Sequence, residues 1–232
     1  MKSEIQSLEP NKIVVVGGTG AVSSTVFNAL KTIAPTVVRQ SGADRYATAR
    51  AIVSGAWTTA ATVYIATGQN FPDALSASGA AGAGKVPVVL VNGSAGSLDA
   101  ATSALLTKLH ATTFDIAGGT GAVSTGVASG LAKLGTVNRF SGTDRYQTSE
   151  LINEGFGSPT SAYFATGTQF PDALSGAALA GANGAPLYVV QPTCVPNPIE
   201  NYLAKSNTAN ITLIGGTGAL SADVANLINC AS

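Results

Sequence analysis

The chain has 232 residues, 45% hydrophobic and 10% charged, and its 12 basic and 12 acidic side chains cancel to a formal net charge of zero. That composition folds and lies far from the disordered class, and with no basic run it gives non-specific nucleic-acid binding no electrostatic driving force. Apolar runs such as Val86-Pro-Val-Val-Leu-Val91 fall well short of the roughly 20 residues of a helical membrane span, and read as buried strands.

In chain order, Met1-Lys-Ser-Glu-Ile-Gln-Ser-Leu8 has no apolar signal core and reads as the last turns of an amphipathic helix. The chain is therefore expected to begin inside a repeat, as a trimmed or processed fragment. Short β-branched runs then alternate with longer Ala-rich segments. Strands are predicted at Lys12–Val16, Thr36–Arg39, Thr62–Ala66, Val86–Val91 and Thr112–Ala117. Helices are predicted at Val22–Ile33, Arg45–Ala56, Ala74–Ala83 and Leu98–Leu109, where apolar residues fall at helical spacing. Asp44 and Asp144 suit helix N-caps, Ser97 and Ser221 are similar starts, and Asp73 and Asp172 follow Pro72 and Pro171 in an opening turn. Continuous apolar strands separated by helices predict an α/β fold with parallel sheets covered on both faces, joined by right-handed crossovers.

The pattern then repeats. Arg39-Gln-Ser-Gly-Ala-Asp-Arg-Tyr-Ala-Thr48 returns one hundred residues later as Arg139-Phe-Ser-Gly-Thr-Asp-Arg-Tyr-Gln-Thr148. The segment from Val63 to Ser76 is echoed from Ala162 to Ser175, and Gly-Gly-Thr-Gly occurs at 17–20, 118–121 and 215–218. The units are read as 39–137 and 138–232, with 1–38 a remnant of a preceding repeat. Duplication of the chemistry-like residues favours multivalent binding over catalysis, because an enzyme domain normally carries one active site.

Four of the five arginines and four of the seven aspartates are locked to this repeat. Arg45 and Arg145 are expected to bridge to the Asp of the next helix start, pinning one corner to another. Arg39 and Arg139, at strand ends, are the candidates for holding anionic groups of a ligand, because parallel sheets bind ligands beyond the carboxyl ends of their strands. Asp44, Asp73, Asp144 and Asp172 are helix-start residues, and an acid/base role for Asp44 and Asp73 explains them less cheaply than capping. Tyr46 and Tyr146 read as core rings with a satisfied hydroxyl, or as sugar-stacking platforms.

Ile13-Val-Val-Val-Gly-Gly-Thr-Gly-Ala-Val22 imitates a dinucleotide-binding turn, but Ser23 stands where the third glycine belongs, and a tight turn explains the glycines. His110 is the only histidine and has no repeat partner, so neither a Ser-His-Asp arrangement nor a histidine metal site is expected, and no cofactor is implied. Trp57 has no counterpart and is assigned to packing. Cys194 and Cys230 are either a pair or two buried free thiols. As a pair they would close a loop contributing roughly 3 to 4 kcal/mol and place the protein outside the cytosol.

Taken together, Ser-Gly-x-Asp-Arg-Tyr-x-Thr, Ala-Thr-Gly-x-x-Phe-Pro-Asp-Ala-Leu-Ser, Pro-x-x-x-Val and Gly-Gly-Thr-Gly-Ala-Val/Leu-Ser, recurring in fixed order, resemble the bacterial cell wall-binding repeat type 2 family over nearly the whole chain. The resemblance implies a secreted, non-catalytic module that anchors a surface protein by holding anionic wall polymers, teichoic-acid-like chains or acidic polysaccharides. It also implies small Toprim-like units packed as a triangular pseudo-trimer, often beside an amidase, protease or adhesin domain. The Toprim likeness concerns shape only, since the Asp-x-Asp that such enzymes use for magnesium is missing. Because only two Arg-x-Ser-Gly elements are present, at least one inter-repeat groove is expected to be incomplete, with self-association through exposed apolar surface or a strand edge. The alternatives are a surface-layer or adhesin scaffold and, less favoured, a nucleotide-binding enzyme.

Overall fold

A computed structural model describes residues 1–230, which form two compact units divided between Thr58 and Thr59. In the first unit, α1 (Lys2–Ser7) precedes β1 (Lys12–Val16), α2 (Ser24–Leu30), β2 (Thr36–Gln40) and α3 (Arg45–Ala56). β1 and β2 pair in parallel, with Val15 opposite Arg39. Ser23 caps α2 by accepting from the Val26 N–H at 3.3 Å, which starts the helix at Ser24 rather than Val22, and it ends at Leu30 rather than Ile33.

The second unit carries two parallel sheets. The first contains β3 (Thr62–Thr67), β4 (Val88–Val91), β5 (Thr113–Ala117) and β6 (Thr136–Phe140) in the order β4-β3-β5-β6. Its crossovers are α4 (Pro72–Gly84), α5 (Ala100–Lys108) and α6 (Thr125–Ala132). After β6, α7 (Arg145–Asn153) leads to the second sheet, ordered β8-β7-β9 from β7 (Ser161–Thr166), β8 (Leu187–Val190) and β9 (Asn210–Ile214). Here α8 (Pro171–Ala182) and α9 (Asn197–Lys205) are the crossovers, and α10 (Ala222–Ala225) follows β9. Parallel strands of buried Val, Ile, Phe and Ala under Ala-rich helices fit the expected class.

α4 starts at Pro72, two residues before its predicted start, and two further predicted boundaries shift for local reasons. β4 starts at Val88 rather than Val86, because Pro87 has no N–H to give a ladder. The helix expected from Leu98 begins at Ala100, because Asp99, not Ser97, is its cap and accepts from the Thr102 N–H at 2.9 Å.

The sheets of the second unit are joined by helices with very small side chains. α4 crosses α8 at Gly82 and Gly181, where a methyl group on either glycine would fall about 3 Å from the other's Cα. Leu75 of α4 is buried with Ala165, Ala173, Ala177, Ala180 and Leu187 of the second sheet and its helix. α7 lies along the outer edge of β8. There the Ser149 hydroxyl accepts from the Val189 N–H at 3.0 Å, and the Asn153 amide donates to the Leu187 carbonyl at 2.8 Å. Both side chains are fully buried. They satisfy groups that a sheet edge would otherwise leave open.

Cys194 and Cys230 form a disulfide with a Cα–Cα distance of 4.9 Å. It fastens the end of the described chain to the segment after β8, where Val195 and Asn229 form a parallel bridge. Of the two sequence-level alternatives, the paired state is therefore present.

Two stability outcomes follow. Replacing Asn153 with Ala strands the Leu187 carbonyl in a dry interior, and is expected to lower unfolding free energy by about 1 to 3 kcal/mol. Chemical denaturation measures this, and an unchanged midpoint would remove the edge-capping role. Reduction of the disulfide opens a 36-residue separation, and is expected to cost roughly 3 to 4 kcal/mol. Thermal melts with and without reductant read it, and coincident curves would refute it.

A candidate polymer-binding cleft at the strand ends

The repeated Ser-Gly-x-Asp-Arg-Tyr-x-Thr motif builds a tight corner between a strand and a helix. Asp44 caps α3 by accepting from the Ala47 N–H at 2.7 Å, and Asp144 caps α7 by accepting from the Tyr146 and Gln147 N–H groups, each at 2.9 Å. The Thr48 and Thr148 hydroxyls accept from the N–H of Gly42 and Gly142 at 3.0 and 3.1 Å, folding each loop back on its helix. A side chain on Gly42 or Gly142 would collide with the first turn of that helix, so the glycine is sterically required. Most of the motif is thus committed to the corner itself.

The strand-end arginines are committed too. Arg39 donates to the Gly17 carbonyl at 2.6 Å and lies over the Phe27 ring, 4.9 Å from its centre. Arg139 donates to the Gly118 carbonyl at 2.8 Å, and partial burial lowers its pKa. Each arginine therefore pins a Gly-Gly-Thr-Gly turn. Gly17, Gly118 and Gly215 adopt φ of 105°, 104° and 131°, which only glycine tolerates without strain.

The second arginine of the motif reaches further. Arg145 donates to the Gly167 carbonyl, 22 residues away and just past β7, at 2.6 Å. The Tyr146 ring packs on the same glycine, whose Cβ, if present, would lie 2.7 Å from a ring carbon. Burial is the main cause raising the Tyr146 hydroxyl pKa. The expected bridge from Arg145 to a helix-start Asp takes a different form: the hydrogen bond goes to a main-chain oxygen, while Asp73 supplies electrostatic attraction.

These pieces converge on one cleft of about 220 Å³ in the second unit, lined by Asn70, Asp73, Gly119, Asp144, Arg145 and Thr148 among others. It lies beyond the carboxyl ends of β3, β5 and β6, the side from which parallel sheets bind ligands. Asp73 sits in the first turn of α4, behind Pro72 at the helix start, with its carboxylate against the Cα of Gly118. Burial pushes its pKa up, and Arg145 offsets part of that rise. Acceptors, one guanidinium and the openings of two helices thus share a shallow polar surface.

Asp73 comes from one repeat, Asp144 and Arg145 from the next. Asp172 repeats the placement of Asp73 in α8, its carboxylate against Gly215. In the first unit Asp44, Arg45 and Tyr46 open α3 as their counterparts open α7. Cys194 and Cys230 lie away from the cleft's lining, tied to each other. Asn70, Gly119 and Thr148 line the cleft but escaped the sequence reading as binding candidates. The signal available was positional, since Gln169 keeps an amide at the place of Asn70 before each Phe-Pro-Asp. Among the described residues no three His, Cys, Asp or Glu side chains are placed to hold a metal, and no helix is long and apolar enough to cross a membrane.

Comparison with known proteins bears on this arrangement. The model of the cell wall binding domain 2 (CWB2) family matches residues 39–128 and 139–225. N-acetylmuramoyl-L-alanine amidase LytC of Bacillus subtilis is 28% identical over 226 residues, which are 97% of this chain and 44% of that protein. The amidase enhancer of the same organism is 29% identical over 226 residues, 96% of this chain and 30% of its own length. The chain thus spans less than half the length of either relative. Among solved structures, Cwp8 from Clostridium difficile superposes with a TM-score of 0.83 at 26% identity, over 95% of this chain and 38% of that one. Cwp6 from the same organism shares the fold, with a TM-score of 0.82 at 22% identity over 98% of this chain and 38% of its own. Two tandem matches covering most of the sequence settle the assignment: the chain belongs to the cell wall binding domain 2 family.

Proposed function

We propose that this chain is a non-catalytic module that holds an extracellular bacterial protein on its wall by binding anionic wall polymers, teichoic-acid-like chains or acidic polysaccharides. The observation that carries the reading is the strand-end cleft in which Arg145 of one repeat faces Asp73 of the preceding one. The binding repeats are read as 39–137 and 138–232, after a remnant at 1–38; both family matches fall inside these two ranges, and the first repeat runs across the division at Thr58 between the compact units. Arg145 presents guanidinium N–H groups to phosphate or carboxylate, Asp73, Asp144 and Asn70 receive sugar or polyol hydroxyls, and Tyr146 supplies an aromatic edge. Arg139 serves this same cleft by fixing its Gly118 turn, and Arg39, Asp44, Arg45, Tyr46 and Asp172 are the corresponding elements of the other repeat positions, with Arg39 fixing the Gly17 turn. A scaffold role draws support from the same pins, since so much of the motif is spent on folding corners.

Co-sedimentation with purified cell wall, before and after removal of its anionic polymers and across a salt series, separates these readings. Binding that disappears on stripping and weakens with salt is expected. Arg145→Ala is expected to weaken retention about fivefold per site, from a contribution of about 1 kcal/mol at a partly exposed position, with the loss amplified along a repeating polymer. Retention that survives stripping would redirect the reading to peptidoglycan, and no retention at any salt would favour the scaffold.

A pH dependence is also expected. The raised pKa of Asp73 means that the folded state takes up its proton before the unfolded chain does, so acidification through that window stabilises the fold. A phosphodiester polymer stays charged there, while neutral Asp73 no longer repels it beside Asp144. Retention on a phosphate-rich polymer should therefore rise as pH falls through the pKa of Asp73. Asp73→Asn should keep the higher retention at neutral pH and flatten the profile. Parallel profiles for the two proteins would count against Asp73 in the cleft.

A further inference from the structure

One face of the first sheet of the second unit departs from the repeat. Tyr64, Asp115 and Asn138 are direct ladder partners across β3, β5 and β6, and so point to the same side. The Tyr64 ring stacks with Phe140, ring centres 6.5 Å apart. At the positions of Asp115, Asn138, Phe140 and Phe156 the preceding repeat position has Val14, Val38, Gln40 and Ala56, and Thr212 stands at the place of Asp115 in the last sheet. The fold therefore does not require an acid there.

Asp115 is only 9% exposed, and its carboxylate accepts from the Asn138 amide at 2.8 Å. Among the described residues no basic side chain pairs with it, although a buried carboxylate normally has a compensating charge. Burial, with the charge of Asp115 adding to it, pushes the Tyr64 hydroxyl up to about 12. Tyr64 opens onto a pocket of about 360 Å³, walled by Ile152, Phe156 and the last turn of α4. Three helix ends meet around it. α4 stops at Gly84, α8 stops two residues before Gly184, and the 3-10 turn Glu154–Phe156 brings the end of α7 to the same rim. Carboxyl ends of helices carry partial negative charge, and no basic side chain lines the pocket. Aromatic faces attract cations further.

We propose that this pocket binds the ammonium group of a small organic amine, of the size of one amino sugar, seated against Tyr64 and Phe156 within the field of Asp115. It shares no residue with the strand-end cleft: Pro72 at the first turn of α4 lines the cleft, and Gly84 at its last turn lines the pocket. One helix thus separates a site for anions from a site for a cation, and the second does not depend on the first.

NMR titration of the intact chain with glucosamine, and with N-acetylglucosamine as the same ring without the charge, tests this. Glucosamine is expected to shift the amide resonances of Gly84, Gly155 and Gly184 saturably, and N-acetylglucosamine to bind at least about tenfold more weakly. Asp115→Asn keeps the shape of the side chain and should weaken glucosamine about tenfold, with a melting temperature no lower than the parent's because a buried charge is gone. Phe156→Leu, a half-buried position away from the acid, should weaken it about threefold and serves as the test should the first variant not fold. Three results overturn the proposal: no saturable shift at the three glycines, equal affinity for the two sugars, or parent-like glucosamine binding in either folded variant.

Discussion

The left-handed glycine that ends β5 is the constraint on which the polar architecture rests. With φ at 104°, Gly118 turns its N–H to the Phe140 carbonyl at 2.8 Å and its own carbonyl to Arg139. Its bare Cα takes the Asp73 carboxylate, which a side chain there would displace. One residue thus fixes the end of β6, the guanidinium beside it and the acid in front of it. Gly17 repeats the first two relations with Gln40 and Arg39, and Gly215 repeats the third with Asp172. The invariance of Gly-Gly-Thr-Gly across three occurrences has a steric cause in this chain, and needs no phosphate to explain it.

A second constraint joins consecutive sheets of the larger unit. Parallel sheets need both faces and both edges dealt with, and a short edge strand such as β8 has outward main-chain groups to satisfy. α7 meets that need with Ser149 and Asn153, while its first turn sends Arg145 and Tyr146 to Gly167 at the start of the next crossover. The same helix therefore caps an edge at one end and walls the cleft at the other. Ala49 and Val53 stand at the matching positions of α3. The polar clamp therefore belongs to the second copy of the helix and is no general property of the repeat.

Much of this was legible in the sequence, for identifiable reasons. β-Branched runs between Ala-rich stretches mark strands and helices directly, and Asp44, Asp144 and Ser221 cap where a short acceptor before a helix should. The misplaced starts at Val86 and Leu98 reflect single residues, a proline without an N–H and an aspartate that outcompetes a serine as the cap. The partners of the arginines were not legible. A guanidinium that seeks an acid can be guessed from nearby aspartates, but Arg39, Arg139 and Arg145 donate to glycine carbonyls 21 or 22 residues away, and carbonyls carry no sequence signature. Asn153 was invisible for a related reason: in the pattern it is one more polar residue on a helix, and only packing reveals that it is buried.

These partners change how the repeat should be understood. If each repeat carried a complete cleft, the units would be independent binders joined by chain. Here the acid comes from the helix after β3, the turn from β5, and the guanidinium from the helix that opens the next repeat. Arg145 further ties that helix to the loop after β7, so the cleft is held from both sides by neighbouring sheets. Rigid spacing is the consequence. Under the proposed function, further clefts built this way at other repeat junctions would meet a repeating polymer at fixed intervals, and rigid spacing lowers the entropy lost when a second contact forms after the first. On that proposal, firm retention does not require any single site to be deep, because weak contacts at shallow, solvent-facing sites add along the polymer.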